Sequence, residues 1–183
     1  MPRKPREEVE GGVYHVFARG NDKRLIYRDD LDRRAYLGML RGTVRHCRWR
    51  LLAYCLMDSH VHLLVETPEA NLGRGMHWLH GLYAREFNER HRRSGHVFQG
   101  RYGAVRIKTD EQLWTVAVYV AMNPVVAGVC ARPDEWPWSS HSVTLADAAP
   151  EWVDVPRLLS HFASAGGVGR QRYAAMFVKG QTP

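Results

Sequence analysis

Cysteine is scarce in this chain. The three present, Cys47, Cys55 and Cys130, are odd in number and none sits in Cys-x-x-Cys spacing. That argues against a disulfide framework and against a zinc knuckle. Long apolar runs are missing as well, and nothing approaches the roughly 18 consecutive apolar residues that span a bilayer. The start, Met1-Pro2-Arg3-Lys4-Pro5-Arg6, is basic but leads into acidic residues with no apolar stretch behind it, so no secretory leader is expected. Acids are also in deficit: 19 Asp and Glu face 26 Lys and Arg, a formal charge of +7. Arginine far outnumbers lysine. Such a balance favours a polyanionic partner, of which nucleic acid is the commonest. The 183 residues suffice for one domain, or one domain with an appendage. A soluble, intracellular protein with no membrane partner is expected.

What the chain does have is His60-Val61-His62, inside the stretch Leu56-Met57-Asp58-Ser59-His60-Val61-His62-Leu63-Leu64-Val65-Glu66. The run reads as a β-strand, and in a strand residues i and i+2 share a face. Both imidazoles therefore leave the sheet on one side, with Val61 and Leu63 on the other. Two adjacent imidazoles begin a site for a divalent cation. The plainer reading is a pair of sheet histidines making ordinary hydrogen bonds. A second concentration of chemistry lies at 85–108, where Arg85, Arg90, Arg92, Arg93, Arg101, Arg106 and Lys108 interleave with Phe87, His91, Phe98 and Tyr102. Alternating cations and aromatics suit phosphates and unpaired bases. A solvated helix face followed by a core hairpin explains the same pattern.

Along the chain, 12–19 alternates as a first strand, and Arg19-Gly20-Asn21-Asp22 reads as a turn. Asp29 or Asp30 can cap a helix to about residue 46, with Leu31, Ala35, Leu37, Leu40 and Val44 as its apolar positions. Residues 49–57 and 60–67 form a hairpin across Asp58-Ser59. Asn71 can cap a second helix to about residue 91, burying Leu72, Met76, Leu79, Leu82, Tyr83 and Phe87. Residues 95–108 look extended or hairpin-like. Thr109 with Gln112 makes a capping box for a third helix, expected to stop at Asn123 because Pro124 follows. Short helical pieces are expected around 157–164 and 170–178. The element order predicts an α+β fold, a ferredoxin-like antiparallel sheet with helices packed on one face. Residues 1–141 would form the main domain and 142–183 a C-terminal helical extension of unknown role.

In the third helix, Tyr119 and Asn123 are one turn apart and share a face. Most tyrosines are packing residues with a polar tip. This one has Val116, Val118, Val120 and Ala121 around it, and Asn123 offers a neutral oxygen that can complete a site begun by two histidines.

Five separated motifs occur in order: Tyr14-His15-Val16 through Arg19-Gly20-Asn21; Ala53-Tyr54-Cys55-Leu56-Met57 into His60-Val61-His62-Leu63-Leu64-Val65; Gly95-His96-Val97-Phe98-Gln99-Gly100-Arg101-Tyr102; Tyr119-Val120 with Asn123-Pro124-Val125; and Trp136-Pro137-Trp138-Ser139-Ser140. Over about residues 12–141 the chain resembles the REP-associated tyrosine transposases, a branch of the single-tyrosine HUH transposases that act on single-stranded DNA. The resemblance implies that His60, His62 and Asn123 hold Mg²⁺ or Mn²⁺ and that Tyr119 attacks the scissile phosphate to form a 5′-phosphotyrosine. A phenol, with an ordinary pKa near 10, is a poor nucleophile at neutral pH without a cation beside it. Two imidazoles and an amide suit Mn²⁺ at least as well as Mg²⁺.

The resemblance further implies a partner, single-stranded DNA carrying palindromic hairpins. Base recognition would lie partly in Tyr14, His15, Arg19, Asn21, Lys23 and Arg24. Hairpin binding is assigned to Arg85, Arg92, Arg93, His96, Gln99, Arg101 and Tyr102. Action as a monomer is implied, a dimer being left open, at a cytoplasmic, chromosome-associated location in a bacterium. Val118 and Val126 stand where relatives commonly carry basic residues, Asp58-Ser59 replaces the usual Pro-Asn, and Phe98 stands where Trp is frequent. Two other functions fit parts of the pattern. One is a non-catalytic binder of hairpin nucleic acid with the same fold, which would not require all of His60, His62, Tyr119 and Asn123. The other is a His-x-His metal hydrolase, which Leu63-Leu64 disfavours by occupying positions where further ligands belong. Trp136 and Trp138 are expected as core anchors, and Cys47 and Cys55 as small core residues.

Overall fold

Alternation in the first strand is what divides the sheet into two faces. In β1 (Gly12–Arg19), Tyr14, Val16 and Ala18 are buried on one face while Val13, His15 and Phe17 emerge on the other. The structure is a computed structural model and describes residues 8–146, 149–163 and 168–178. β2 (Arg50–Met57) and β3 (His60–Thr67) form a hairpin across Asp58 and Ser59, with Met57 opposite His60. β3 also pairs with β1, and β4 (Gly103–Ile107) pairs with the far side of β1. All pairings are antiparallel and the strand order is β2-β3-β1-β4. With α1 (Asp30–Cys47) between β1 and β2, and α2 (Leu72–Arg90) between β3 and β4, this is the ferredoxin-like arrangement that the element order predicts.

α1 starts where the Asp29 carboxylate accepts from Asp32 N–H at 3.0 Å. It ends where Arg48 turns left-handed at φ 54. Its buried stripe is Tyr36, Leu40, Val44 and Cys47, and Leu31 is exposed instead of buried. The first turn faces the end of α2, where a buried Asp32 meets Arg90 and His91. Leu82 on α2 is likewise on the solvent side. Asn71 precedes α2 as expected, yet its side chain does not cap that helix. It accepts from Trp49 Nε1 at 2.6 Å and donates to the Cys47 carbonyl at 3.0 Å, tying the two helix ends together. Gly75 makes room for that indole: a Cβ there would lie 2.1 Å from Trp49 Cζ2.

α3 (Asp110–Val126) begins with Thr109 Oγ1 accepting from Gln112 N–H at 3.3 Å, while Gln112 Oε1 accepts from Lys108 N–H. The expected stop at Asn123 is not observed. The helix runs through Pro124 for a last turn, closed by Ala127 N–H donating to Asn123 O at 3.0 Å. Proline leaves the Val120 carbonyl without its helical donor and crowds that turn; the Pro124 ring is buried, which offsets part of that cost. In the stretch at 95–108 only β4 is a strand, the rest adding isolated pairings such as Gly20 with Phe98.

The helical cover is two-sided, not confined to one face. α1 and α2 pack Tyr36, Leu40, Met76, Leu79 and Tyr83 on Val16, Val61 and Leu63. On the opposite face α3, α5 (Val155–Ala163) and α6 (Gly169–Val178) bring Leu113, Ala117, Val120, Leu158, Phe162 and Tyr173 onto Leu52, Cys55 and Leu64. Leu158, Phe162 and Tyr173, beyond residue 141, thus belong directly to the sheet's second core. Trp136 Nε1 donates to Leu56 O at 3.0 Å and Leu56 N–H to Trp138 O at 2.9 Å, so this segment closes the outer edge of β2. On β1 and β4 the same face is covered at Val13 and Ile107, and among the described residues it stays open around Phe17 and Val105.

Two histidines packed away from the open face carry a pH signature. His80 stacks on Phe98 at 4.0 Å, and burial pushes its pKa down to about 3. His141, on the short α4 (His141–Leu145), lies 2.8 Å from the Tyr173 hydroxyl and is lowered to about 4, again by burial. Unfolded histidine takes a proton near pH 6.5, so below that pH the unfolded chain binds more protons and stability falls as pH falls. Each should cost roughly 2 kcal/mol by pH 5. A lower melting temperature at pH 5 than at pH 7 is expected, with the difference reduced in His80→Phe; equal values at both pH values would show that these rings are not held neutral.

Candidate active site

β3 is a central strand, and its period of two sends Val61 and Leu63 into the first core while His60 and His62 face the open side. α3 crosses beside this face and delivers Tyr119 and Asn123 from successive turns. His60 Nε2 lies 2.9 Å from Asn123 Oδ1, and Ser59 Oγ is 3.3 Å from His60 Nδ1. The Tyr119 ring stands edge-on to His62 at 5.3 Å between centroids and is half exposed, at 50%. The four residues singled out by motif therefore converge, from one strand and one helix.

The turn ahead of His60 is clamped from several sides. Asp58 carbonyl accepts from Ile26 N–H at 2.8 Å, and Ser59 carbonyl accepts from Gly20 N–H at 2.8 Å. The Asp58 carboxylate binds Arg33 of α1, whose guanidinium lies over the rings of Tyr27, Trp136 and Trp138. An Asp at position 58 thus has an anchoring partner of its own.

His15, expected among the DNA-binding residues, stands in the histidine cluster. Its Nε2 is 3.0 Å from His62 Nδ1, the rings are stacked at 5.2 Å, and it meets Tyr119 edge-on at 5.7 Å. Burial lowers the pKa of His15. Burial first, then the neighbouring His15 and His60, bring His62 down to about 3. At neutral pH these are uncharged imidazoles with lone pairs to offer. The signal that could have found His15 is the β1–β3 register, which pairs His15 with Leu64 and Phe17 with His62. Among the described residues no three His, Cys, Asp or Glu converge as a metal cluster; the third donor here is the amide oxygen of Asn123.

The site opens into a cleft of about 1000 Å³ edged by Arg19, Lys23, Gln99 and Arg101. Arg19 Nε donates to Gln99 Oε1. Arg24 faces a neighbouring depression with Arg28 and Arg93, and Lys23 borders both. Arg93 lies over the Phe87 ring at 5.4 Å and is half-buried. Asn21 bonds through its backbone to Val97 O, and Arg85, Arg92 and His96 are exposed outside both hollows. One assignment is corrected by burial. Tyr14 is 2% exposed in the first core, its hydroxyl accepting from Val9 N–H at 2.8 Å. Tyr102 is also mostly buried, with its ring edge toward His80, and it lines the cleft. Alternation and packing, not polarity, decided the burial of both.

The model of the family described as "Transposase IS200 like" matches residues 8–123. The chain belongs to the IS200-like transposase family. A Haemophilus influenzae protein named as a REP-associated tyrosine transposase is 28% identical over 176 residues, covering 86% of this chain and 97% of the relative. That supports the branch which the motifs resemble. In fold the chain is similar to a REP-associated tyrosine transposase solved bound to a REP hairpin, with a TM-score of 0.67 and 16% identity over 84% of this chain and 94% of that one. No helix among the described residues is long and apolar enough to cross a membrane. Val118 is half-buried and Val126 is 75% exposed. The cations at the cleft are Arg19, Lys23 and Arg101. If Arg101 neutralises one phosphate, Arg101→Ala will reduce the slope of log affinity for hairpin DNA against log salt by about 1; filter-binding titrations across salt concentrations showing an unchanged slope would remove it from the DNA path.

Proposed function

We propose that this chain is a metal-dependent endonuclease and strand transferase acting on single-stranded DNA at palindromic hairpins, through a 5′-phosphotyrosine. The observation that carries the reading is the convergence of Tyr119 with His60, His62 and Asn123 at the floor of one cationic cleft. The donors fit a hard divalent ion. Two ligand atoms at right angles around an ion, each about 2.1 Å from it, lie about 3 Å apart, and His60 Nε2 and Asn123 Oδ1 are separated by 2.9 Å. All three donors are neutral, so a bound Mg²⁺ or Mn²⁺ would keep its positive charge for polarising a non-bridging phosphate oxygen.

Tyr119 is exposed enough to meet a phosphodiester. Its Oη forms a bond to phosphorus as the bond to the 3′ oxygen breaks; the phenol gives up its proton and the departing 3′ oxygen gains one. The 5′ phosphate stays on the tyrosine, and a second 3′-hydroxyl can reverse the exchange without ATP. His15 orients the site. When His62 Nδ1–H donates to His15 Nε2, the Nε2 lone pair of His62 is left free to bind a cation.

Denaturing gels of labelled hairpin oligonucleotides with protein and Mn²⁺ test the reading. A protein–DNA band is expected, absent in Tyr119→Phe, in His60→Ala and with chelator. Hairpin binding without any such band in the unmodified chain would favour the non-catalytic binder instead. His15→Ala should weaken Mn²⁺ binding about tenfold or more, read by titration of the free-ion paramagnetic resonance signal; unaltered affinity would leave His15 without an orienting role.

A further inference from the structure

Phe17 projects from the middle of the sheet into the cleft and is 39% exposed. The ring is partly open to solvent on a surface whose rim is Arg19, Lys23 and Arg101. The register explains where it stands. Phe17 is opposite His62 on β3 and opposite Gly103 on β4, so the three residues form one row across the open face, about 4.8 Å from strand to strand. The ring centroid is 6.3 Å from that of His62 and 5.4 Å from that of His15. Gly103 leaves the space the ring occupies: a Cβ at that position would lie 2.3 Å from Phe17 Cζ. An aromatic face is thus exposed one strand away from the donors and the tyrosine, with no side chain on the next strand to cover it.

We propose that Phe17 is a stacking platform for a nucleobase of the single strand, the one carried by the nucleotide at the cleaved phosphate. The position of that phosphate rests on the strand-transfer reading above. With phosphates held along the cationic rim and the reacting one at His62 and Tyr119, the adjoining base turns into the cleft. There Phe17 offers a flat apolar surface. Stacking of this kind accepts any base, because every base has a π face. It would add affinity and hold the nucleotide in place, leaving base-edge contacts to the neighbouring Arg19–Gln99 pair.

The test uses the full chain and hairpin oligonucleotides whose single-stranded foot carries 2-aminopurine or an abasic sugar at each position in turn. With the unmodified protein, one position should show a fluorescence change on binding, and an abasic sugar there should weaken binding about tenfold. Phe17→Leu, which keeps an apolar side chain without a π face, should lose the fluorescence change and show no further loss with the abasic strand. Phe17→Trp should restore both, and Gly103→Ala should diminish both by displacing the ring. The proposal is overturned if Phe17→Leu retains the same fluorescence change and the same abasic penalty, or if the unmodified protein shows neither at any position. Adduct formation is scored in the same samples. Stacking without adduct keeps the platform and removes strand transfer; adduct without stacking does the opposite.

Discussion

The register of β3 between β1 and β2 is the constraint on which everything else depends. Side chains in a strand alternate with a period of two, so a slip of one residue would carry His60 and His62 into the helical core and Val61 and Leu63 into the cleft. Several features forbid the slip. Val61, Leu63 and Val65 are fully buried against α1 and α2, and the hairpin turn has two residues and no slack. Backbone bonds from Gly20, Ile26 and Tyr27 hold that turn, and Arg33 holds the Asp58 side chain. The site inherits the rigidity of the core beneath it.

The second face of the sheet shows how a site is made by incomplete covering. α3, α5 and α6 bury the β2 side of that face and reach Val13 and Ile107 at one end of β1 and β4, while Phe17 and Val105 on those strands stay exposed. The boundary between covered and bare is the line along which Tyr119 and Asn123 meet the histidines. α3 needs its full length there. Running through Pro124 instead of stopping before it, the helix keeps Asn123 in regular geometry with its carbonyl bonded to Ala127. On the other side of the sheet the polar cluster of Asp29, Asp32, Arg90 and His91 joins the start of α1 to the end of α2. Asp32 is buried, so removing its partners would leave an uncompensated charge, at a cost on the order of 3–5 kcal/mol.

Much of this was legible from residue order. The first strand, the hairpin around His60 and His62, and the one-turn spacing of Tyr119 and Asn123 follow from alternation and helical periodicity. What was not legible depends on partners distant in sequence. Tyr14 and His15 are neighbours in one motif, yet alternation sends Tyr14 into the core and His15 to His62. Tyr102 sits in a run of cations and is nonetheless buried. Leu31 has the right spacing for a core position but is exposed, because the first turn of α1 is directed at the basic end of α2.

The sequence by itself determined the α+β class, the strand that carries both histidines, the helix that carries the tyrosine, and the family, because each is written in local periodicity or in contiguous motifs. Tertiary structure alone decided that His15 joins the histidines, that Phe17 stays exposed over Gly103, and that helices cover both faces while sparing the cleft. Those outcomes rest on strand register and on which surfaces meet, and both are set by contacts between segments far apart in the chain.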